Sequence, residues 1–268
     1  RSGLACANLL SGLGARVRVT DSKPRRELEG MISRLAVKDI RIECGRHTED
    51  FIRGSDLAVL SPGIPGTSDP VQWALKQSIP VYSEIEIAWT LCPAPVIAVT
   101  GSNGKTTTAT LMGLVLEASG RHAAVCGNIG DPFSGEVARV RPEDFVVLEV
   151  SSFQLERIKT LKPHIAVVTN LNPNHLDRYR SMEEYIDAKK RIFLNQDASD
   201  YLLLNKQDPV SVALAADARS QVAYFGEEPG MNQNQAAVAA AAGILGIPRT
   251  VCSGVFNGFK GLEHRMEK

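Results

Sequence analysis

The chain has 268 residues, of which 44% are hydrophobic and 22% charged, and its 30 Lys+Arg balance 30 Asp+Glu to a formal charge of zero. This is globular composition, sized for one large or two medium domains. The balanced charge argues against a nucleic-acid partner, no apolar run nears the roughly 20 residues that span a bilayer, and five scattered cysteines without a C-x-x-C pair (Cys6, Cys44, Cys92, Cys126, Cys252) predict reduced thiols in a cytoplasmic protein.

In chain order, Ser2 to Leu13 has helical periodicity, Gly14 ends the helix, and "RVRVTD" is a short strand closing on Asp21. A glycine, a helix, a strand and then an acid is the second half of a Rossmann-type unit, so a first strand is expected before residue 1. "LAVLSPGIP" reads as a buried strand running into a Pro-Gly turn, a helix follows near residues 70–77, and "TLCPAP" at 90–95 is a proline-punctuated linker. This divides the chain into residues 1–92 and 93–268. The second part opens on the apolar strand "PVIAVT", a loop at 100–104 and a helix from Lys105 to Ser119. "FVVLEV", "IAVVTN", "YLLLN" and "QVAYF" are further runs of buried-parallel-strand type, alternating with helical stretches. The fold class expected is α/β: a Rossmann-like domain, then a P-loop-type, doubly wound, mostly parallel sheet. "FGEEPGMNQN" passes from strand to the helix "NQNQAAVAAAAGILG" with so little connection that a segment is expected to be missing near 230–231.

The loop "TGSNGKTTT" departs from G-x-x-x-x-G-K-[ST], whose first glycine would fall on Val99 and not on Gly101. Its context is nonetheless that of a phosphate cradle: a strand runs into a Gly-rich turn that opens a helix, whose first N–H groups and dipole favour an anion. Lys105 supplies a point charge for outer phosphates and Thr106 a hydroxyl for Mg²⁺. Glu149 ends a buried strand, where a carboxylate is costly unless paired or metal-bound. His175 follows the next strand. Either could be an ordinary surface or structural group, but both stand at strand ends, where open α/β sheets hold ligands. Lys189 and Lys190 form, on composition alone, a solvated basic face. Helical geometry sends the two in different directions, and Ala188, Ile192 and Phe193 mark one side of the helix as buried.

Together these stretches resemble the Mur ligases, ATP-dependent amide-forming enzymes of peptidoglycan synthesis. "TGSNGKTTT" is similar to that family's own phosphate loop, and "GNIG" (127–130), "LEVSSFQLE" (148–156), "NPNHLDRY" (172–179), "DAKKRIF" (187–193) and "GLEHRMEK" (261–268) follow in the family's order. "SPGIP" (61–65) and "SSFQLE" (151–156) resemble the branch that joins D-glutamate to UDP-N-acetylmuramoyl-L-alanine through an acyl phosphate. The resemblance implies ATP and Mg²⁺ as cofactors and a monomeric enzyme of the bacterial cytoplasm. It implies that Gly101, Ser102, Asn103, Gly104, Lys105, Thr106, Thr107, Asn234 and Arg265 contact the nucleotide. Thr106, Glu149, His175 and Lys189, the last as a carbamate, would serve metal, and Lys105, His175 and Lys189 catalysis. Asp21, Ser22, Ser61, Gly63, Asn128, Ser151, Gln154 and His175 would contact the UDP substrate. Asn174 stands where many members have Asp, and Met231 where the family has an adenine-contacting Asn. Family members continue beyond "HRMEK" into a third domain with D-glutamate contacts, so this chain is not expected to ligate alone. Two other readings are a dinucleotide-binding oxidoreductase fragment, which Gly3 and Asp21 imitate, and a folylpolyglutamate-synthase-like ligase. The phosphate loop with Glu149 and His175 counts against the first, and "SPGIP" against the second.

Overall fold

The computed structural model describes residues 1–36, 40–173 and 179–261. The chain forms two compact units. The first holds residues 1–92 with 131–139 and 156–160, and the second holds the rest.

In the first unit, α1 (Ser2–Gly12) leads to β1 (Arg18–Asp21), then α2 (Arg25–Ile32), β2 (Arg41–Cys44), α3 (Glu49–Ile52), β3 (Ala58–Leu60), α4 (Asp69–Lys76), β4 (Val81–Ser83) and α5 (Glu84–Leu91). β1 pairs with β2 and β3 with β4, both in parallel, giving two separate two-stranded sheets. β3 is only half-buried where "LAVL" reads as a core strand, because it has one strand neighbour. β2 was not legible as a strand, since "RIEC" interleaves charges with one isoleucine. α5 takes in Thr90 and Leu91, so the linker is shorter than "TLCPAP". Two carboxylates of α5 are buried. Glu84 Oε1 accepts the Ser134 N–H at 2.6 Å, and Glu86 Oε1 accepts the N–H and hydroxyl of Thr160, each at 2.6 Å. Each holds one of the two later segments, 131–139 and 156–160, that complete this unit. Burial pushes the Glu84 carboxyl above the ordinary range, against the lowering pull of Ser134.

The second unit runs β5 (Val96–Thr100), α6 (Lys105–Ala118) and β6 (Ala123–Gly127). After α7 (Phe133–Glu136), which belongs to the first unit, come β7 (Phe145–Glu149), α8 (Ser152–Leu155), β8 (Ile165–Val168), α9 (Met182–Lys190), β9 (Tyr201–Asn205), α10 (Pro209–Ala213), β10 (Gln221–Phe225), α11 (Gln233–Ile244) and α12 (Arg249–Gly258). Its six strands are all parallel, in the order β10-β9-β8-β5-β7-β6. Every residue of β5 is buried, as expected of a central parallel strand covered on both faces. One face packs against α6, α11 and α12 through Ile97, Val99, Leu111, Met112, Val115, Ala237, Ala241 and Phe256, among others. Truncating Leu111 there would cost about 2–5 kcal/mol. β6, the edge strand "AAVCG", carries too little bulk to stand out in the sequence. Between β10 and α11 the chain turns through a Glu228–Met231 bridge and then a capping box in which Asn232 and Gln235 bond each other's backbone. Among the described residues no helix is long and apolar enough to cross a membrane.

Candidate functional site

From β5 the chain crosses toward β6, and from β8 it crosses the other way toward β9. The carboxyl ends of β5 and β8 therefore flank a topological switch point, where open α/β sheets bind ligands. Two loops meet there and are bonded closely to each other. The Ser102 N–H donates to Asn170 O (2.8 Å), the Asn103 N–H to Asn170 Oδ1 (2.9 Å), and both Thr169 Oγ1 and Asn170 Nδ2 to Asn103 O (2.6 and 3.1 Å). Thr100 Oγ1 extends this framework to the end of β7 by donating to Val150 O at 2.9 Å. Buried polar groups are tolerated when each finds a partner, and such networks fix one backbone path.

Two glycines make that path sterically possible. Gly101 lies at φ +145°, and a Cβ there would overlap Thr169 Oγ1. Gly104 lies at φ +79°, where a Cβ would overlap Asn234 Oδ1. The loop thus closes onto β8 on one side and onto the first turn of α11 on the other. Lys105 folds back over it, its Nζ donating to Gly101 O and Ser102 O at 3.0 and 2.9 Å. Thr106 is buried, Asn103 is exposed, and Gly104 and Thr107 are half-buried. Asn234 Oδ1 accepts from Thr108 Oγ1 at 3.4 Å. The structure therefore gathers Gly101 to Thr107 and Asn234 at the start of α6, where the helix dipole favours negative charge.

The two adjacent lysines of α9 have opposite surroundings. Lys189 is 2% exposed, and its Nζ donates to Gly101 O at 2.8 Å and approaches Thr100 Oγ1 at 3.4 Å. Its pKa is pushed down to about 7, first by burial and then by the Lys105 ammonium, against the opposing pull of Glu149. Lys190 is half-buried and pairs with Asp217 at 2.6 Å. Glu149, 1% exposed at the end of β7, accepts from Asn128 Nδ2 through Oε1 at 2.8 Å. Its Oε2 is buried, with no hydrogen-bond partner among the described residues. A bare carboxylate oxygen inside the protein is expensive unless a cation completes it. Among the described residues no three His, Cys, Asp or Glu side chains cluster as a metal cage. Mg²⁺ is commonly held by one or two protein oxygens and completed by phosphate and water. Glu149 Oε2 and the Thr106 hydroxyl are the donors this site could offer.

The remaining candidates fall elsewhere. Ser151 and Gln154, beyond β7, bond each other: Gln154 Oε1 accepts the Ser151 N–H and hydroxyl at 3.0 and 2.9 Å, so this glutamine holds its own loop. Asp21 ends β1 and Ser22 follows it, with Asp21 Oδ1 accepting the Lys23 N–H at 2.9 Å, while Ser61 and Gly63 follow β3. Ser61 Oγ lies 3.3 Å from where a Cβ on Gly3 would stand, so α1 begins beside the Pro-Gly turn. His175, Asn174 and Arg265 lie outside the described residues. Sequence reasoning missed Thr169, Asn170 and Tyr185. The polar Thr-Asn at the end of an apolar strand was the available signal for the first two.

Residues 99–243 match the Mur ligase middle domain, and residues 1–83 match the Mur ligase MurD-like, N-terminal domain. The UDP-N-acetylmuramoylalanine--D-glutamate ligase of Pelotomaculum thermopropionicum is 36% identical to this chain, covering 100% of it and 66% of the relative. Its counterpart in Geotalea uraniireducens is 46% identical across 83% of this chain and 49% of the relative. The chain thus spans about half to two thirds of the relatives it matches. Among solved structures, the UDP-N-acetylmuramate:L-alanyl-gamma-D-glutamyl-meso-diaminopimelate ligase from Neisseria meningitides shares the fold at TM-score 0.66 and 19% identity, covering 98% of this chain and 95% of that one. MurF from Acinetobacter baumannii does so at 0.59 and 18%, covering 93% and 64%. On these matches the chain belongs to the Mur ligase family, carrying a MurD-like N-terminal domain followed by the family's middle domain.

Proposed function

We propose that this chain is the UDP-substrate- and ATP-binding part of a ligase that joins D-glutamate to UDP-N-acetylmuramoyl-L-alanine. In this reading residues 1–92 hold the uridine diphosphate end through Asp21, Ser22, Ser61 and Gly63, and residues 93–268 form a P-loop-type ATPase domain. The observation that carries it is the convergence at one switch point of the loop 101–106, Lys189 and Glu149, whose Oε2 has no hydrogen-bond partner among the described residues.

The reaction is carboxylate activation. The terminal carboxylate of the UDP substrate attacks the γ-phosphorus of ATP, the bond to ADP breaks, and an acyl phosphate forms. The D-glutamate amine then attacks the carbonyl, loses a proton, and phosphate leaves. In the first step two anions must approach each other, which is a positioning and electrostatic task. Lys105 would leave its two loop carbonyls to meet the outer phosphates, and the first turn of α6 would face them with N–H groups. Mg²⁺, held by Glu149 and Thr106, would supply charge neutralisation on the phosphate oxygens. Lys189 is suited to addition of CO₂, which requires a neutral amine: at a pKa of about 7 a large share is neutral at pH 7, against about one in a few thousand for a free lysine. Its carbamate would place a further oxyanion beside Glu149.

Thermal unfolding of this chain with UDP, with ADP–Mg²⁺ and with NAD tests the reading. Separate stabilisation by the first two and none by NAD is expected. Stabilisation by NAD alone would support an oxidoreductase fragment and overturn it.

A further inference from the structure

We propose that Tyr185 is a positioning residue that fixes two parts of the nucleotide site at once, the loop through its hydroxyl and Lys189 through its ring. Tyr185 is 1% exposed, one helical turn before Lys189 on α9. Its hydroxyl lies 3.0 Å from Ser102 Oγ. The direction of that bond follows from counting protons. Ser102 Oγ also contacts Asn172 O at 2.8 Å and the Asn172 N–H at 2.9 Å. A carbonyl only accepts, so the serine proton goes to Asn172 O. The two serine lone pairs then receive the Asn172 N–H and the Tyr185 O–H. With its own N–H given to Asn170 O, Ser102 has spent both of its donors inside the protein. It is therefore a fastening of the loop and not a phosphate donor, and Tyr185 supplies one of the bonds that fasten it.

The ring does a second task. Lys189 Nζ lies 4.8 Å from its centroid, within cation–π range. The ammonium is thus seated between the ring and Gly101 O, the carbonyl of the same loop. Behind Tyr185 stands an aromatic ladder. Tyr179 meets it edge-on at 5.5 Å between centroids, and Phe153 stacks on Tyr179 at 5.8 Å. Arg191 Nε donates to Leu155 O at 2.8 Å, tying the end of α9 to the same 151–155 segment. The ladder leaves Tyr185 little freedom to rotate, so its hydroxyl and its ring face are set together.

The role rests on the nucleotide reading for its binding test and on the hydrogen bonds of Ser102 for its exchange test. Tyr185→Phe removes the hydroxyl and keeps the ring. Tyr185→Leu removes both, and Ser102→Ala removes the group Tyr185 fastens. In the ligand-free chain, Tyr185→Phe should speed amide hydrogen exchange at Ser102 and Asn103 about tenfold and leave β5 unchanged. In calorimetric titration with ADP–Mg²⁺, Tyr185→Phe and Ser102→Ala should each weaken binding about three- to tenfold. The double variant should be no weaker than the worse single, the non-additivity of two groups acting through one bond. Tyr185→Leu, which also removes the ring that seats Lys189 against Gly101 O, should speed exchange at Ser102 further than Tyr185→Phe does. Unchanged exchange in Tyr185→Phe, or additive losses in the double variant, overturns the role. A wild-type chain that ignores ADP but shows the expected exchange change overturns the nucleotide reading and leaves Tyr185 as the fastening of the loop.

Discussion

The loops at the switch point of the second unit and the strand ends of the first differ in how they are held. Around Gly101 the backbone is fixed by bonds from Thr169, Asn170, Asn172 and Tyr185, and the side chains behind it are buried. Around Asp21 the backbone is tied across the sheet, its carbonyl accepting the Gly45 N–H at 3.0 Å, but the side-chain contact is local, to the Lys23 N–H two residues on, and Ser22 and Gly63 are exposed. A loop that must stabilise charge developing on a reacting group gains from being rigid beforehand, because reorganisation at the moment of reaction raises the barrier. A contact that only holds the remote end of a substrate can be ordered by the ligand itself, at the expense of some affinity. The difference suits a division between chemistry in one unit and anchoring in the other.

If the rigid loop is the source of that difference, the largest effect belongs to Gly101→Ala. Its Cβ would meet Thr169 Oγ1 in a backbone region that alanine rarely adopts, at a cost on the order of 3 kcal/mol. Urea unfolding should show that loss together with loss of ADP binding, while Gly63→Ala, which meets open space, should change stability by no more than about 0.5 kcal/mol. Equal losses at both glycines would erase the comparison.

The lysine pair comes next. In a full-length enzyme Lys189→Ala should abolish ligation, whereas Lys190→Ala should cost at most about 1 kcal/mol of stability from its pair with Asp217. Lys189 also leaves a pH signature. Its folded pKa of about 7 lies below the ordinary 10.5. Below pH 7 both states hold the proton and stability is flat. Between the two values only the unfolded chain holds it, so stability rises with pH, by up to about 1.4 kcal/mol per unit. Lys189→Met should therefore be more stable than wild type at pH 7, with an advantage that shrinks by pH 9.5. An advantage that grew with pH would reverse the assignment.

Glu149→Gln should leave the Asn128 bond to Oε1 in place and remove the charge. We expect nucleotide binding to lose its dependence on added Mg²⁺, a change of about tenfold or less, seen by titrating Mg²⁺ at fixed ADP. Smallest is Asp21→Ala. It should weaken the UDP substrate a fewfold, leave ADP affinity unchanged, and alter stability by under about 0.5 kcal/mol. A change in ADP affinity instead would reassign the first unit.

Much of this was readable in the sequence. The strand–loop–helix around Gly101 and Lys105 follows local rules, so its elements came directly from spacing. Ala188, Ile192 and Phe193 marked one side beside the two lysines as buried, and the family resemblance singled out Lys189, which is the buried one of the pair. What hid were the partners across the fold. Tyr185 reads as one more aromatic, and only tertiary packing sets its hydroxyl on Ser102. Glu84 and Glu86 in "SEIEIAW" resemble a polar helix edge until residues 131–139 and 156–160 return to bury them. β2 and β6 were obscured by composition, with charge in one and small side chains in the other, because strand propensity depends on neighbours absent from a linear sequence.

The central claim is that the loop 101–106 binds a magnesium nucleotide through Lys105. Calorimetric titration of a non-hydrolysable ATP analogue with Mg²⁺ into wild type and Lys105→Ala tests it directly. Saturable binding by wild type, weakened at least about tenfold in Lys105→Ala with unchanged thermal stability, is the expected result; equal affinity in the two proteins would contradict it.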